Sequence, residues 1–185
     1  MLKADLDPDE WPDATDAAVL VAVTDRPTTA DGPGLILTRR NGRMRTHAGQ
    51  VAFPGGRIDA NESAIEAALR EAEEEIALPR ATPRIVGTMD DYVTGTGYHV
   101  TPVLAVIPPD LDFSANPAEV DHWFEVPLSV IADPARRSEE QAEYKGRTRS
   151  YWRIHYRDYD IWGATAAMIV NLARRLSSQD FYASR

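Results

Sequence analysis

Short apolar runs of strand length recur along the chain and alternate with segments rich in glycine, proline and acidic residues. They predict strands at residues 17–24, 34–38, 51–53, 84–89, 100–107 and 122–126. Residues 148–156 and 158–162 predict a hairpin, and 127–131 predict a helical turn. Pro54-Gly55-Gly56 is expected to break the strand at 51–53, after an irregular stretch at 39–50.

Two longer segments instead repeat apolar residues at helical spacing, at 62–78 and 164–176. For the first, Asn61 is the expected N-cap and Pro79 stops the helix soon after its end. Many strands with two helices far apart in the chain favour a mixed α/β sandwich. Residues 1–16, rich in proline and aspartate, predict a loosely held N-terminal arm. Residues 17–185 then form a single domain.

Composition narrows the class of protein without defining an activity. An apolar share of 43% and a charged share of 26% are ordinary for a soluble globular chain of 185 residues. The first residues of the sequence are acidic and include no apolar run, so they do not resemble a signal peptide. The apolar stretches at 17–23 and 161–173 are too short to span a membrane. The absence of cysteine excludes disulfides and thiolate sites, and is compatible with a reducing cytosol.

Charge is distributed unevenly around the predicted first helix. The net charge is −9, which argues against a nucleic-acid partner. Residues 32–58 nevertheless contain no acidic residue and five arginines, while 59–75 are strongly acidic. Such neighbouring segments suit an anionic ligand that reaches the protein partly through bound cations. The basic and aromatic residues of 147–157 could suggest RNA, but their period near two favours a structural hairpin.

Glu71, Glu74 and Glu75 stand at i, i+3 and i+4, so their carboxylates converge on one side of the predicted helix. Three like charges so close are costly unless a cation lies among them. Mg²⁺, a hard ion held by carboxylates and substrate phosphates, is the obvious candidate. Taken alone, the same glutamates also suit a solvated acidic face.

The wider spacing decides between these readings. Gly56, Glu62 and the segment from Arg70 to Leu78 resemble the Nudix box, G-x5-E-x7-R-E-U-x-E-E-x-G-U, in every position but Ala77, where the family has glycine. The resemblance implies a fold of the α/β class, namely a Nudix-type α/β/α sandwich with a mixed sheet. Alanine at that position either adopts a left-handed conformation at a cost or lets the helix continue to Pro79.

The same resemblance implies the site residues. Glu71, Glu74 and Glu75 would ligate Mg²⁺ or Mn²⁺ together with the carbonyl of Gly56. Arg70 and Glu62 would pair and hold the loop onto the helix. The general base would be Glu74 or Glu71, or Glu119 from a later loop, although Glu119 could equally be an ordinary loop acid.

Residues 37–56 are similar to the signature of the coenzyme A pyrophosphatase branch, L-T-x-R-S-x-x-x-R-x-H-x-G-x-V-x-F-P-G-G. Asn41 departs from its usual serine. The resemblance implies hydrolysis of coenzyme A or its thioesters to 4′-phosphopantetheine (or its acyl form) and adenosine 3′,5′-bisphosphate. Arg40, Arg45 and His47 would bind the phosphates. Surface charge is the alternative for any single arginine, and loop bracing for His47.

Two rival functions stay open. One is the same chemistry on another nucleoside diphosphate derivative, such as ADP-ribose or a nucleoside triphosphate. The other is a Nudix-fold sensor that binds a nucleotide without cutting it. In either case we expect a small nucleotide ligand, no nucleic acid or membrane partner, and a cytoplasmic location, and we leave a homodimer open.

Overall fold

The computed structural model describes residues 13–27, 32–43, 48–144 and 146–177. Within them the chain forms eleven strands, three α-helices and a 3₁₀ turn at Pro134–Arg136. The strands are β1 Thr15–Thr24, β2 Gly34–Arg40, β3 Val51–Ala52, β4 Gly55–Arg57, β5 Arg84–Thr88, β6 Tyr92–Val93, β7 Tyr98–Ile107, β8 Val120–Pro127, β9 Arg137–Tyr144, β10 Arg147–Tyr156 and β11 Tyr159–Trp162. The helices are α1 Ala64–Ile76, α2 Leu128–Ala132 and α3 Gly163–Ser177.

The first eight strands form one mixed sheet. β1 and β7 pair in parallel along their whole length, from Thr15 and Tyr98 to Thr24 and Ile107. The other pairings are antiparallel: β8 lies beside β2, and β5 and β6 lie beside β7. The strands predicted at 17–24, 34–38, 84–89, 100–107 and 122–126 are confirmed, with ends shifted by up to two residues.

Two short strands lie between β1 and β2. β1 pairs with β2 where Val23 faces Leu35, whereas its first half pairs with β4 and the second half of β2 pairs with β3. The predicted break after the strand at 51–53 is confirmed, because β3 ends at Ala52, but Gly55 and Gly56 then belong to a further strand, β4, that was not predicted. A Cβ on Gly55 would lie 2.7 Å from Val19 Cα, so glycine permits this close approach of the two backbones.

Helices cover both faces of the sheet, so the predicted α/β/α sandwich is confirmed. Alternate residues of β1 point into the two layers: Ala18, Leu20 and Ala22 pack in the core that contains α1, and Ala17 and Val21 in the core that contains α3. The buried face of α1 is made largely of alanines, which let the helix approach the sheet closely. No helix in the described part of the chain is long and apolar enough to span a membrane.

Helix α1 begins at Ala64, two residues later than predicted, and its N-cap is Ser63 rather than Asn61. Ser63 and Glu66 form a reciprocal capping box, in which the Ser63 side chain accepts from the Glu66 N–H and Glu66 Oε2 accepts from the Ser63 N–H at 2.8 Å. Asn61 has φ 68° and lies in the preceding turn. Starting the helix after Glu62 leaves that side chain free to pair elsewhere.

The C-terminus of α1 resolves the two alternatives for Ala77. Its φ of 56° and ψ of 31° place it in the left-handed region, and its N–H donates to Glu73 O at 3.0 Å. The helix therefore ends as a glycine-terminated helix would, although alanine occupies the position.

The predicted hairpin of 148–156 and 158–162 is confirmed as β10 and β11, and α3 agrees with the helix predicted at 164–176. Strand β9 was not predicted. It pairs antiparallel with β10 to complete a three-stranded sheet. Its sequence, RSEEQAEY, lacks an apolar alternation because most of its described side chains face solvent.

We expect Ala77→Gly to raise the free energy of unfolding by about 0.5–1 kcal/mol, because glycine adopts the left-handed conformation without a Cβ clash and Ala77 is exposed. Urea denaturation measures the change. Ala72→Gly, in the buried middle of the same helix, is the matched control and should lower stability. A destabilised Ala77→Gly protein would contradict the assigned end of the helix.

Candidate active site

Glu71 and Glu75 lie one turn apart on the face of α1 that meets β4. Glu75 is only 1% exposed, and its Oε2 accepts a hydrogen bond from the Gly55 N–H at 3.3 Å. Glu71 lies directly over Gly56, where an added Cβ would stand 2.5 Å from the Glu71 carboxylate carbon. The two glycines of β4 thus give the strand room beside the glutamates and supply a backbone donor to one of them.

Glu119 joins this pair from the loop that follows β7. One carboxylate oxygen from each of Glu71, Glu75 and Glu119 lies within 4.8 Å of the other two. We call these three residues the carboxylate cluster. Three oxygen donors at this separation are a donor set that a hard divalent cation fits, and mutual repulsion opposes their joint ionisation without one.

The ionisation of the cluster reflects that crowding. The pKa of Glu75 is raised to about 8, chiefly by burial and also by the carboxylates of Glu71 and Glu119, although Arg40 and the Gly55 N–H act to lower it. Burial also raises the pKa of Glu71, although the hydrogen bond from Arg70 opposes the rise. Both shifts favour the neutral acids until a cation lies among them.

Glu74, which the sequence predicted beside Glu71 and Glu75, lies outside the carboxylate cluster. Its side chain is 47% exposed, and Oε2 lies 3.4 Å from Arg70 Nη1. The physical reason is helical geometry: at about 100° per residue, Glu75 turns about 40° from Glu71, whereas Glu74 turns about 60° the other way, toward solvent.

Arg70 holds the chain before α1 against the helix. Its Nε and Nη2 donate to the two oxygens of Glu62 at 2.9 Å each, and Nη2 also donates to Arg57 O at 2.9 Å. The expected pairing of Arg70 with Glu62 is therefore confirmed. The Arg70 hydrogen bond lowers the pKa of Glu62 to about 2. Arg70 Nη1 donates to Glu71 Oε1 at 2.8 Å, so the same guanidinium orients a member of the cluster.

Arg40, predicted to bind substrate, is the last residue of β2 and lies beside the cluster. Its Nη1 is 3.8 Å from Glu75 Oε1, and its buried Nε has no hydrogen-bond partner among the described residues. The guanidinium is thus close enough to act on a ligand that meets the three carboxylates. Arg45 and His47, the other predicted substrate residues, lie outside the described residues.

The segment that carries Glu119 is fastened at several points, which sequence reasoning missed. The Asn116 N–H donates to Glu75 O at 2.9 Å and the Ser114 N–H to Ile76 O at 3.1 Å, so the segment caps the last carbonyls of α1. From β2, the Asn41 N–H donates to Glu119 O at 2.9 Å. The departure of Asn41 from the usual serine was visible in the sequence, but its partner could not be inferred there.

A family model for the NUDIX domain matches residues 14–153, which is most of the chain. A protein of Escherichia coli (strain K12), named as the uncharacterized Nudix hydrolase NudL, is 44% identical over 161 residues, which cover 86% of this chain and 82% of that protein. The chain belongs to the Nudix family. A Shigella boydii relative of the same name is 43% identical over 161 residues, with the same coverage.

Solved structures of Nudix proteins share the fold. The Nudix hydrolase RenU of M. smegmatis superposes with a TM-score of 0.54 at 24% identity, covering 64% of this chain and 74% of RenU. The Ap4A hydrolase of C. elegans in a binary complex gives a TM-score of 0.51 at 22% identity, covering 61% and 80%. Membership of the Nudix family makes this protein a pyrophosphohydrolase; the family acts on small nucleotide substrates and generally uses divalent metal ions.

The raised pKa of Glu75 predicts how the stability of the metal-free Nudix hydrolase depends on pH. The ordinary pKa of a glutamate is 4.5, and in the folded protein the pKa of Glu75 is about 8. Between these two pH values, Glu75 is ionised in the unfolded chain and protonated in the folded protein. The folded state therefore binds more protons, and this contribution makes stability fall as pH rises through that window; below it, both states are protonated.

We expect urea unfolding in the presence of a chelator to show this fall in the wild type and a weaker one in Glu75→Gln. Every other titrating group is common to the two proteins, so the difference between the curves isolates Glu75. Parallel curves from pH 5 to 8 would contradict a buried, protonated Glu75.

Proposed function

We propose that this Nudix hydrolase cleaves the pyrophosphate bond of coenzyme A or its thioesters, using Mg²⁺ or Mn²⁺ held by Glu71, Glu75 and Glu119. The products would be 4′-phosphopantetheine, or its acyl form, and adenosine 3′,5′-bisphosphate. One observation carries the proposal: three carboxylate oxygens within 4.8 Å of one another lie beside Arg40. Arg40 in turn lies within residues 37–56, which are similar to the signature of the coenzyme A branch and belong to the acid-free segment 32–58.

The metal assignment is supported by the chemistry of the donors. Carboxylates are the oxygen ligands that Mg²⁺ and Mn²⁺ prefer, and we propose the Gly56 carbonyl as a further ligand. When bound, the ion would lower the pKa of water and neutralise charge on the phosphate oxygens. Glu74 is proposed as a ligand from the Nudix resemblance alone.

The other steps belong to residues of the chain. Arg40 would donate to a phosphate oxygen and hold the pyrophosphate over the carboxylates. Glu119 would accept the proton of the attacking water while the water oxygen forms a bond to phosphorus and the bridging P–O bond breaks. Glu71 and Glu74 are the alternative bases. Arg70 would keep the Glu71 carboxylate in position throughout.

The name of the 44% identical relative gives no substrate. The choice of coenzyme A is therefore supported by residues 37–56, which are similar to the coenzyme A signature. Coenzyme A carries a 3′-phosphate in addition to its pyrophosphate and so calls for cationic groups beyond the ion. We propose Arg45 and His47 for that phosphate. Because Arg40 lies 3.8 Å from Glu75, we propose that it serves the pyrophosphate instead.

The metal site is tested by glutamine substitutions on helix α1 and on the loop that carries Glu119. We expect Glu75→Gln and Glu119→Gln each to lower kcat by about a hundredfold or more at saturating Mg²⁺, because a ligand or the base is lost while packing is preserved. Glu73→Gln is the matched control, since Glu73 faces solvent and pairs with Arg80 at 2.7 Å. It should retain kcat within about twofold.

Glu74→Gln belongs in the same series. A fall of about a thousandfold would assign Glu74 to the site, as the Nudix resemblance implies. Near-normal turnover would remove it. Normal turnover of both Glu75→Gln and Glu119→Gln would overturn the proposed carboxylate cluster itself.

The substrate is tested by comparing coenzyme A with dephospho-coenzyme A, which lacks only the 3′-phosphate. We expect the wild type to prefer coenzyme A by about ten- to a hundredfold in kcat/KM, the value of a charge-assisted contact. Arg45→Ala should shrink this preference. Arg40→Ala should weaken both substrates alike, and Arg84→Ala, on an exposed site of β5, should change neither.

Product masses identify the bond that is cleaved. Equal kcat/KM for the two substrates in the wild type would remove the role of the 3′-phosphate. Faster cleavage of ADP-ribose than of coenzyme A would contradict the proposed substrate and leave the pyrophosphohydrolase activity unchanged.

A further inference from the structure

Asn41 stands where two loops of the site meet. It directly follows Arg40, the last residue of β2. The Arg40 N–H donates to Gln50 O at 2.9 Å and the Gly49 N–H donates to Arg40 O at 3.1 Å, which closes the base of the loop between them. Asn41 is thus fixed to the sheet through its neighbour, and any group bonded to it is held relative to β2.

Three separate groups of Asn41 make hydrogen bonds. Its backbone N–H donates to Glu119 O at 2.9 Å. Its side-chain Nδ2 donates to Pro117 O at 2.6 Å. Its Oδ1 accepts from the Arg43 N–H at 2.9 Å, which sets the orientation of the carboxamide. Two of the three bonds end on the turn that carries Glu119.

The same turn is bonded to α1 from its other side. The Asn116 N–H donates to Glu75 O at 2.9 Å, and the Asn116 backbone carbonyl accepts hydrogen bonds from the N–H groups of Glu119 and Val120 at 3.0 and 2.8 Å. Its Oδ1 also accepts from the Ala118 N–H at 3.1 Å. The turn therefore has one anchor on the helix that bears Glu75 and a second on β2 through Asn41.

We propose that Asn41 is a positioning residue, whose carboxamide fixes Glu119 against Glu71 and Glu75. This inference rests on the proposed function, in which Glu119 is a metal ligand or the general base. Without the Nδ2 bond, the turn keeps its anchor on α1 and the backbone bond from the Asn41 N–H to Glu119 O, but it is no longer held at Pro117 O. Small displacements of a ligand or base cost activity out of proportion to their effect on stability.

The chemistry of the side chain makes the proposal specific. A carboxamide donates from one atom and accepts at another, so it reaches Pro117 O and the Arg43 N–H together. Serine, the usual residue of the coenzyme A signature, has a single hydroxyl on a shorter stem. Aspartate keeps the acceptor but turns a carboxylate toward the Pro117 carbonyl, and alanine has neither group.

The experiment measures Mn²⁺ binding to the full-length protein by titration calorimetry, with kcat and KM for coenzyme A and the Tm of each variant. We expect Asn41→Ala and Asn41→Asp to weaken Mn²⁺ binding and lower kcat by about tenfold each, with KM changed by less than about twofold. Asn41→Ser should lie between them and the wild type. Asp133→Ala, which removes a side-chain bond to the Ala135 N–H in a distant turn, is the control and should change neither quantity.

A double substitution separates this inference from the proposed function. If Asn41 acts through Glu119, Asn41→Ala should cost nothing more in the Glu119→Gln background. Additive losses, or wild-type Mn²⁺ affinity and kcat in Asn41→Ala beside an impaired Glu119→Gln, would overturn the role of Asn41 and leave the proposed site intact. Wild-type behaviour of Glu119→Gln would overturn the role of Glu119 and the inference with it. Unchanged far-ultraviolet circular dichroism ensures that all variants are folded.

Discussion

The buried carboxylate of Glu75 is the constraint on which the rest of the site depends. A carboxylate that is 1% exposed loses its hydration, and this loss is costly unless donors or cations replace the water. Around Glu75, the part of the chain that the structure describes supplies one backbone donor from Gly55 and one guanidinium from Arg40 at 3.8 Å. These are too few partners for a buried anion flanked by two further carboxylates, and a divalent cation would complete them.

The local architecture follows from that requirement. The helix can bring Glu71 and Glu75 against β4 because its buried face is alanine and the strand beneath it is glycine. The third carboxylate has to come from a loop, and a loop residue holds a fixed place only when its backbone is bonded on both sides. Asn116 bonds this loop to the end of α1, and Asn41, which directly follows β2, bonds it on the other side. Small residues and polar clamps therefore contribute to the site as directly as the charged groups do.

Local patterns were enough to predict much of this arrangement. The periodicity of α1, the i, i+4 relation of Glu71 and Glu75, and the pairing of Arg70 with Glu62 depend on residues close in sequence. The capping box of Ser63 and Glu66 was also present in the sequence, but Asn61 was preferred to it. Ala77 kept the left-handed conformation of the family's glycine because the cap hydrogen bonds to Ala72 and Glu73 satisfy the helix end.

What failed depended on distant contacts. Gly55 and Gly56 look like a turn until the approach of β1 is known, and β9 has no apolar face by which a strand could be recognised. Glu119 was named as a candidate base from the Nudix resemblance, but its approach to Glu71 and Glu75 links residues more than forty positions apart, so no spacing rule reveals it. Glu74 was grouped with Glu71 and Glu75 because the prediction treated i+3 and i+4 as one face. In the structure its carboxylate lies outside the cluster, and its role as a ligand stays a prediction.

The central claim is that Glu71, Glu75 and Glu119 together hold a divalent ion. Anomalous diffraction from crystals soaked in Mn²⁺ tests it most directly, because the ion can be located without reference to activity. We expect an anomalous peak among the three carboxylates, within coordinating distance of at least two of them. A well-ordered crystal with no peak there at saturating Mn²⁺, or with the ion bound instead at the exposed carboxylates of Glu73 and Glu74, would contradict it.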